Sequence, residues 1–162
     1  MSTGSVEGYR GALGAYPVIR NGFDKFILVY NDTGAAVTNG DLYHISYEKD
    51  ADSLSPSARP TLTACATTSV YQHIGVVNNS PLGASTIADQ AWGYVQVRGY
   101  CPDVKCTTAT QAIDTYIQGT NGTQAATNDG SSRTTDSFAI MLAAAVANHG
   151  PALLFGDTCI IG

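Results

Sequence analysis

The chain reads as short apolar runs broken at intervals by turn residues. Phe26-Ile27-Leu28-Val29-Tyr30 is apolar on both faces and predicts a buried strand, ended by the turn Asn31-Asp32-Thr33-Gly34. A second strand, Leu42 to Tyr47, follows an Asn39-Gly40 corner. Residues 48–60 are polar, contain Pro56 and Pro60, and form a surface loop. Thr61 to Ala66 alternates Leu62 and Ala64 against Thr61, Thr63 and Cys65. Gln72-His73-Ile74-Gly75-Val76-Val77 gives the next strand, closed by Asn78-Asn79-Ser80-Pro81. The cleanest alternation is Trp92-Gly93-Tyr94-Val95-Gln96-Val97-Arg98-Gly99. Val95 and Val97 face one way there, and Tyr94, Gln96 and Arg98 the other. One face is therefore core, and the other meets water or a partner.

Further on, Asp114 to Gln118 and Thr123 to Thr127 flank Gly119-Thr120-Asn121-Gly122 and predict a hairpin, followed by a loop at Asn128-Asp129-Gly130-Ser131-Ser132. Ser137 to Ala147 reads two ways. Its Leu142-Ala143-Ala144-Ala145-Val146-Ala147 run has good helix propensity. With period two, Phe138, Ile140 and Leu142 share one face and Ala139 and Ala143 the other, and the surrounding pattern favours strand. Leu153-Leu154-Phe155 and Cys159-Ile160-Ile161 close the chain. Residues 1–25 hold no period. Glycines recur at 4, 8, 11, 14 and 22, interleaved with Tyr9, Tyr16 and Phe23. This segment predicts an extended arm whose aromatics dock on a neighbour. The fold class is all-β, a small barrel or sandwich of short antiparallel strands spanning residues 26–162, with the arm in front.

Composition narrows the function. In 162 residues only 13% are charged, about half the roughly 25% of ordinary globular proteins, so much of the outer surface is neutral. A net charge of −5 with 8 Lys+Arg argues against nucleic acid and anionic membranes as partners. The first residues lack a basic and then apolar leader, and the longest apolar run, Phe138 to Ala147, falls far short of a membrane helix. The expectation is a soluble protein made in a cytosol.

Chemistry is sparse. No Gly-x-Ser-x-Gly elbow, phosphate loop or His-x-x-x-His pair occurs. Asp50 and Asp52 approach a carboxylate pair in a polar loop without the other ligands of a calcium motif. His44 and His73 sit among apolar strand residues and read as packing histidines. No catalytic residue, cofactor or metal is expected, and the protein reads as no enzyme. Cys101 and Cys106 form the one close cysteine pair; a zinc site would need two further ligands, and His44, His73 and His149 are scattered singly. Reduced, partly buried thiols are the simplest reading, with a local Cys101–Cys106 disulfide as the alternative. Three Asn-x-Ser/Thr sequons, at Asn31, Asn78 and Asn121, mark turns. Tyr9, Tyr16, Phe23, Trp92, Tyr94 and Arg98 are the candidate contact residues, because large amphipathic side chains suit interfaces.

Several segments together resemble capsid decoration (cement) proteins of tailed bacteriophages. They are Thr63-Ala64-Cys65-Ala66-Thr67-Thr68-Ser69, then the Ile74-Gly75-Val76-Val77 strand, Trp92-Gly93-Tyr94-Val95-Gln96-Val97-Arg98-Gly99, and the C-terminal Gly150-Pro151-Ala152-Leu153-Leu154 and Gly156-Asp157-Thr158-Cys159-Ile160-Ile161. The resemblance covers roughly residues 60–161, more weakly Asn31 to Tyr47. It implies a non-enzymatic virion protein on the capsid exterior, made in the host cytoplasm. Its partners would be the major capsid protein and itself, as a homotrimer or a dimer, bridging capsomers of the expanded shell with avidity. The low charge fits permanent assembly, since a free monomer of this composition would be poorly protected against association. The competing expectation is a tail, baseplate or fibre-associated β module or a carbohydrate-binding module, with Trp92, Tyr94 and Tyr100 stacking on sugars.

Overall fold

Glycine, asparagine and proline punctuate the chain into strands of two to seven residues, with one exception of fourteen. The computed structural model describes residues 6–8, 17–46, 60–65, 73–109, 111–119 and 122–156. Among these the strands are β1 (Val6–Gly8), β2 (Pro17–Asn21), β3 (Asp24–Tyr30), β4 (Val37–Thr38), β5 (Leu42–Ser46), β6 (Thr61–Thr63) and β7 (His73–Val77). They continue with β8 (Thr86–Ile87), the long β9 (Trp92–Lys105), β10 (Tyr116–Gly119), β11 (Ala126–Gly130), β12 (Ala139–Met141) and β13 (His149–Phe155). A single 3-10 turn, Ser80–Leu82, is the only helical element among the described residues. The fold is all-β, as the punctuation predicts.

Strand pairing closes two circuits that share β9. In the first, β3 meets β6 in a parallel bridge, β6 pairs β5, β5 pairs β7, β7 pairs β9, and β9 returns to β3. Its interior holds Ile27, Val29, Tyr43, Ile45, Leu62, Val77, Val95 and Val97, with Val37 and Ile87 from the β4–β8 pair capping it. Gly75 lies inside this ring because a Cβ there would stand 2.9 Å from Val95 Cγ2, so β7 can cross only without a side chain. In the second circuit β9 pairs β13, β13 pairs β12, β12 pairs β10 and β10 pairs β11. A bridge between Cys106 and Ala126 brings β11 back to the end of β9. Cys101, Val104, Ile117, Ala139, Met141, Ala152 and Leu154 fill it, joined by Leu42, Ile74 and Val76 from the outer side of the first ring. Alternation along β5 and β7 thus feeds two cores.

β9 passes from one ring to the other at Arg98, which pairs with both Lys25 of β3 and Phe155 of β13. The next residue, Gly99, has φ +96°, and a Cβ there would stand 2.9 Å from Asp24 Cα, so only glycine fits. Buried asparagines tie the turns. Asn31 Nδ2 donates to the carbonyls of Ala35, Ile87 and Ala88, and its Oδ1 accepts from Thr33. Asn79 Oδ1 accepts from the Tyr94 amide, while Nδ2 donates to Thr86. The sequons at Asn31 and Asn78 are accordingly internal struts, with both side chains buried.

Four expectations change. The loop expected from Asn128 to Ser132 begins later, because β11 continues to Gly130. Tyr94 and Gln96 do not face water or a partner: both are buried, and on that side of β9 Asn78 Nδ2 donates to Gln96 Oε1 at 2.8 Å. The strand expected across Ser137 to Ala147 is confined to Ala139–Met141, after which the chain turns, and Ala147 and Asn148 adopt φ of +50° and +69°. Within residues 1–25, read as an arm, Pro17–Asn21 forms a hairpin with β3 through Gly22 at φ +58°, and Val6–Gly8 pairs with it. The loop expected at 48–59, the arm aromatics Tyr9 and Tyr16, and the closing strand at Cys159 lie outside the described residues.

Candidate functional site

In the second ring one face of the sheet turns inward and the other outward, and the outward one is apolar. Along β13 the inward residues Gly150, Ala152 and Leu154 are buried, while Pro151, Leu153 and Phe155 are half-buried and face out. Register sets their neighbours. Leu153 stands opposite Tyr100 on one side and Ile140 on the other, and Ile140 stands opposite Tyr116. Phe155 stands opposite Arg98. Directly opposed side chains lie about 5 Å apart at Cβ, so these form one continuous surface. Tyr100 is 53% exposed, and Leu142, bonded through its amide to the Pro151 carbonyl, extends the patch. A soluble sheet face normally alternates toward polar side chains here.

Two cations are set into this surface on aromatic rings. The Arg98 guanidinium lies 5.0 Å from the Phe23 ring centre, and that of Arg133 lies 4.3 Å from the Phe155 ring centre. Tyr116 packs against Phe155 at 6.0 Å. Phe23, Arg98, Phe155 and Arg133 therefore alternate aromatic and cation across the rim. The nearby carboxylates are otherwise engaged. Asp24 accepts from the Tyr100 amide at 3.1 Å. Asp129 accepts from Thr134 Oγ1 at 2.6 Å and from the Ser137 hydroxyl, which pins the segment before β12.

Of the contact residues expected from sequence, Phe23 and Arg98 meet at this rim. Phe23 is 60% exposed at the β2–β3 turn. Trp92, 43% exposed, stands at the opposite end of β9, edge-on to Tyr30 at 5.4 Å. Six residues of strand separate it from Arg98, about 20 Å. Tyr94 is not a contact residue but a buried one. The surface gains Leu153, Phe155, Ile140, Tyr116 and Arg133, which the sequence pattern did not single out for contact, and Tyr100, which it named only for stacking on sugars. Leu153-Leu154-Phe155 looks buried on both faces when read alone, and only the pairing shows that one face is open.

The three described thiols are poor nucleophiles. Cys65, Cys101 and Cys106 are free and buried. Burial pushes the Cys101 thiol up to about 12 and the Cys65 and Cys106 thiols up to about 11, away from the thiolate that reactivity needs. A Cys101–Cys106 disulfide is not formed. Both lie on one extended course of chain, where five residues span roughly 16 Å against the roughly 7 Å limit for Cα atoms of a disulfide. Among the described residues no cluster of three His, Cys, Asp or Glu could hold a metal. The Lys105–Asp41 ion pair (2.8 Å) and the His149–Asp103 contact (2.7 Å) tie the end of β9 to its neighbours. No helix is long and apolar enough to cross a membrane among the described residues. Comparison of the chain with protein-family models, curated proteins and solved structures finds no match.

Proposed function

We propose that this protein is a non-enzymatic structural protein that binds another protein surface through the outward face of β9, β13, β12 and β10, and that the surface is the exterior of an assembled capsid. One observation carries the reading: the exposed Tyr100 and the half-buried Leu153 and Phe155 stand together on the outward side of a sheet where charge is the norm. A contiguous apolar patch with aromatic and Arg members has the make-up of a protein interface. The decoration-protein resemblance supplies the partner, since its segments include β7, the first half of β9 and β13. On this reading the protein acts on the virion exterior as a homo-oligomer, a trimer or a dimer, against the major capsid protein. Several modest contacts then add up through avidity.

A tail, fibre or carbohydrate-binding role has weaker support. Its three stacking residues do not form a platform, because Tyr94 is buried and Trp92 and Tyr100 stand eight residues apart on one strand. Co-sedimentation with expanded capsids stripped of their decoration tests the proposal. Saturable binding is expected, and its absence at every concentration would overturn it.

A further inference from the structure

We infer that the partner surface received by this face is acidic, carrying carboxylates that engage Arg98 and Arg133 on either side of an apolar contact centred on Phe155. The inference deepens the proposed function and rests on it for the site, though not for the identity of the partner. Charge placement carries it. The chain is acidic overall, with 13 Asp+Glu against 8 Lys+Arg. Four Lys or Arg side chains are described: Lys25, Arg98, Lys105 and Arg133. Lys105 is ion-paired to Asp41. Arg98 and Arg133 stand together at this face, Phe155 being a register partner of Arg98 and lying beneath Arg133.

Among the described residues no carboxylate forms an ion pair with Arg98 or Arg133. Each guanidinium lies over an aromatic ring, a contact that leaves its N–H donors free for a planar, bidentate acceptor. Carboxylates match that geometry, and the apolar rows of Leu153, Ile140 and Tyr116 beside them suit a protein segment. A free anion would leave these rows uncovered.

The test uses fluorescent peptides that alternate Glu with Phe and Leu, against matched peptides carrying Gln or Lys, and against single-stranded oligothymidylate. Binding is read by anisotropy to the full chain at low and high salt. The Glu peptide should bind best, weakening about tenfold as salt screens the charges. The double variant R98Q/R133Q should lose that preference, while R98K/R133K keeps the charge and recovers only part of it. Unchanged thermal unfolding of both variants separates lost contact from lost fold. Equal binding of the Glu and Gln peptides, no binding of either, or tighter binding of the oligonucleotide would overturn the inference. Stripped capsids keep the two readings apart. Saturable capsid binding indifferent to salt and to R98Q/R133Q leaves the capsid role standing and removes the acidic partner. Glu-peptide selectivity without capsid binding does the reverse.

Discussion

The two halves of β9 obey different rules. From Gly93 to Val97 every residue is buried: Val95 and Val97 lie in the first core, and on the other side Gln96 is held by Asn78. From Arg98 to Lys105 burial alternates, and the outward positions include Arg98, Tyr100 and Pro102. In the first half even a polar side chain is consumed by the fold: Gln96 is 0% exposed, accepts from Asn78, and donates to the Arg98 and Tyr100 carbonyls at 3.1 and 2.9 Å. In the second half, large apolar side chains are left over. A residue with no folding task that is nevertheless aromatic points to a task outside the monomer.

Breaking the handover between the halves should cost most. Gly99→Val places a branched side chain at φ +96° and against the Asp24 backbone. Strain of about 1–3 kcal/mol and overpacking of similar size predict a loss of roughly 4 kcal/mol in urea unfolding. Gln96→Leu keeps the volume but strands Asn78 Nδ2 and two carbonyls, and should cost about 2–3 kcal/mol. A Gln96→Leu protein as stable as the parent would mean that the first half tolerates polarity without needing it.

Alkali sharpens the same division, because the buried thiols all belong to the second core. Cys65, Cys101 and Cys106 hold their protons in the fold up to about 11, 12 and 11, whereas an unfolded thiol ionises near its ordinary value of 9. Above that value the unfolded chain binds fewer protons than the folded one, so stability falls as pH rises. It is fully present below about 9 and is lost progressively toward 11–12. Replacing the three with Ser or Ala should flatten that descent in unfolding curves taken from pH 8 to 11. In the native protein at pH 8 these thiols should resist a thiol reagent until it unfolds.

Local signals carried much of the fold. The strands at Phe26 to Tyr30, Leu42 onward, Ile74 to Val77 and Trp92 to Gly99, and the hairpin around Gly119 and Gly122, follow from alternation and turn chemistry, and the structure has them. The two-ring arrangement was not legible, because it depends on which strands pair, and β3 meets β6 across a gap of thirty residues at Tyr30 and Thr61. Tyr94 misled for the same reason. Period two says that it faces away from Val95, but not that it is buried on that side as well. Helix propensity in Leu142 to Ala147 lost to the second core, where Ala145 is buried and bonds through its amide to the Gln111 carbonyl. The candidate site was half legible. Phe23 and Arg98 stood out as an aromatic and a cation, whereas Leu153 and Phe155 looked like ordinary core until register exposed one side of them.

The smallest expected change in stability tests the comparison hardest. Tyr100→Ser removes a side chain that is 53% exposed and whose strand neighbours Gly99 and Cys101 supply the inward contacts. Unfolding should shift by no more than about 0.5 kcal/mol, the usual range for surface positions without a structural task. If the proposed function holds, capsid binding should fall clearly, because an aromatic within an interface contributes far more to binding than to folding. If Tyr100→Ser instead destabilised the chain as much as Gln96→Leu, the outward face would belong to the fold after all. The two halves of β9 would then differ only in how much water they see. A variant that unfolds like its parent and no longer binds places the function on the half that folding leaves free.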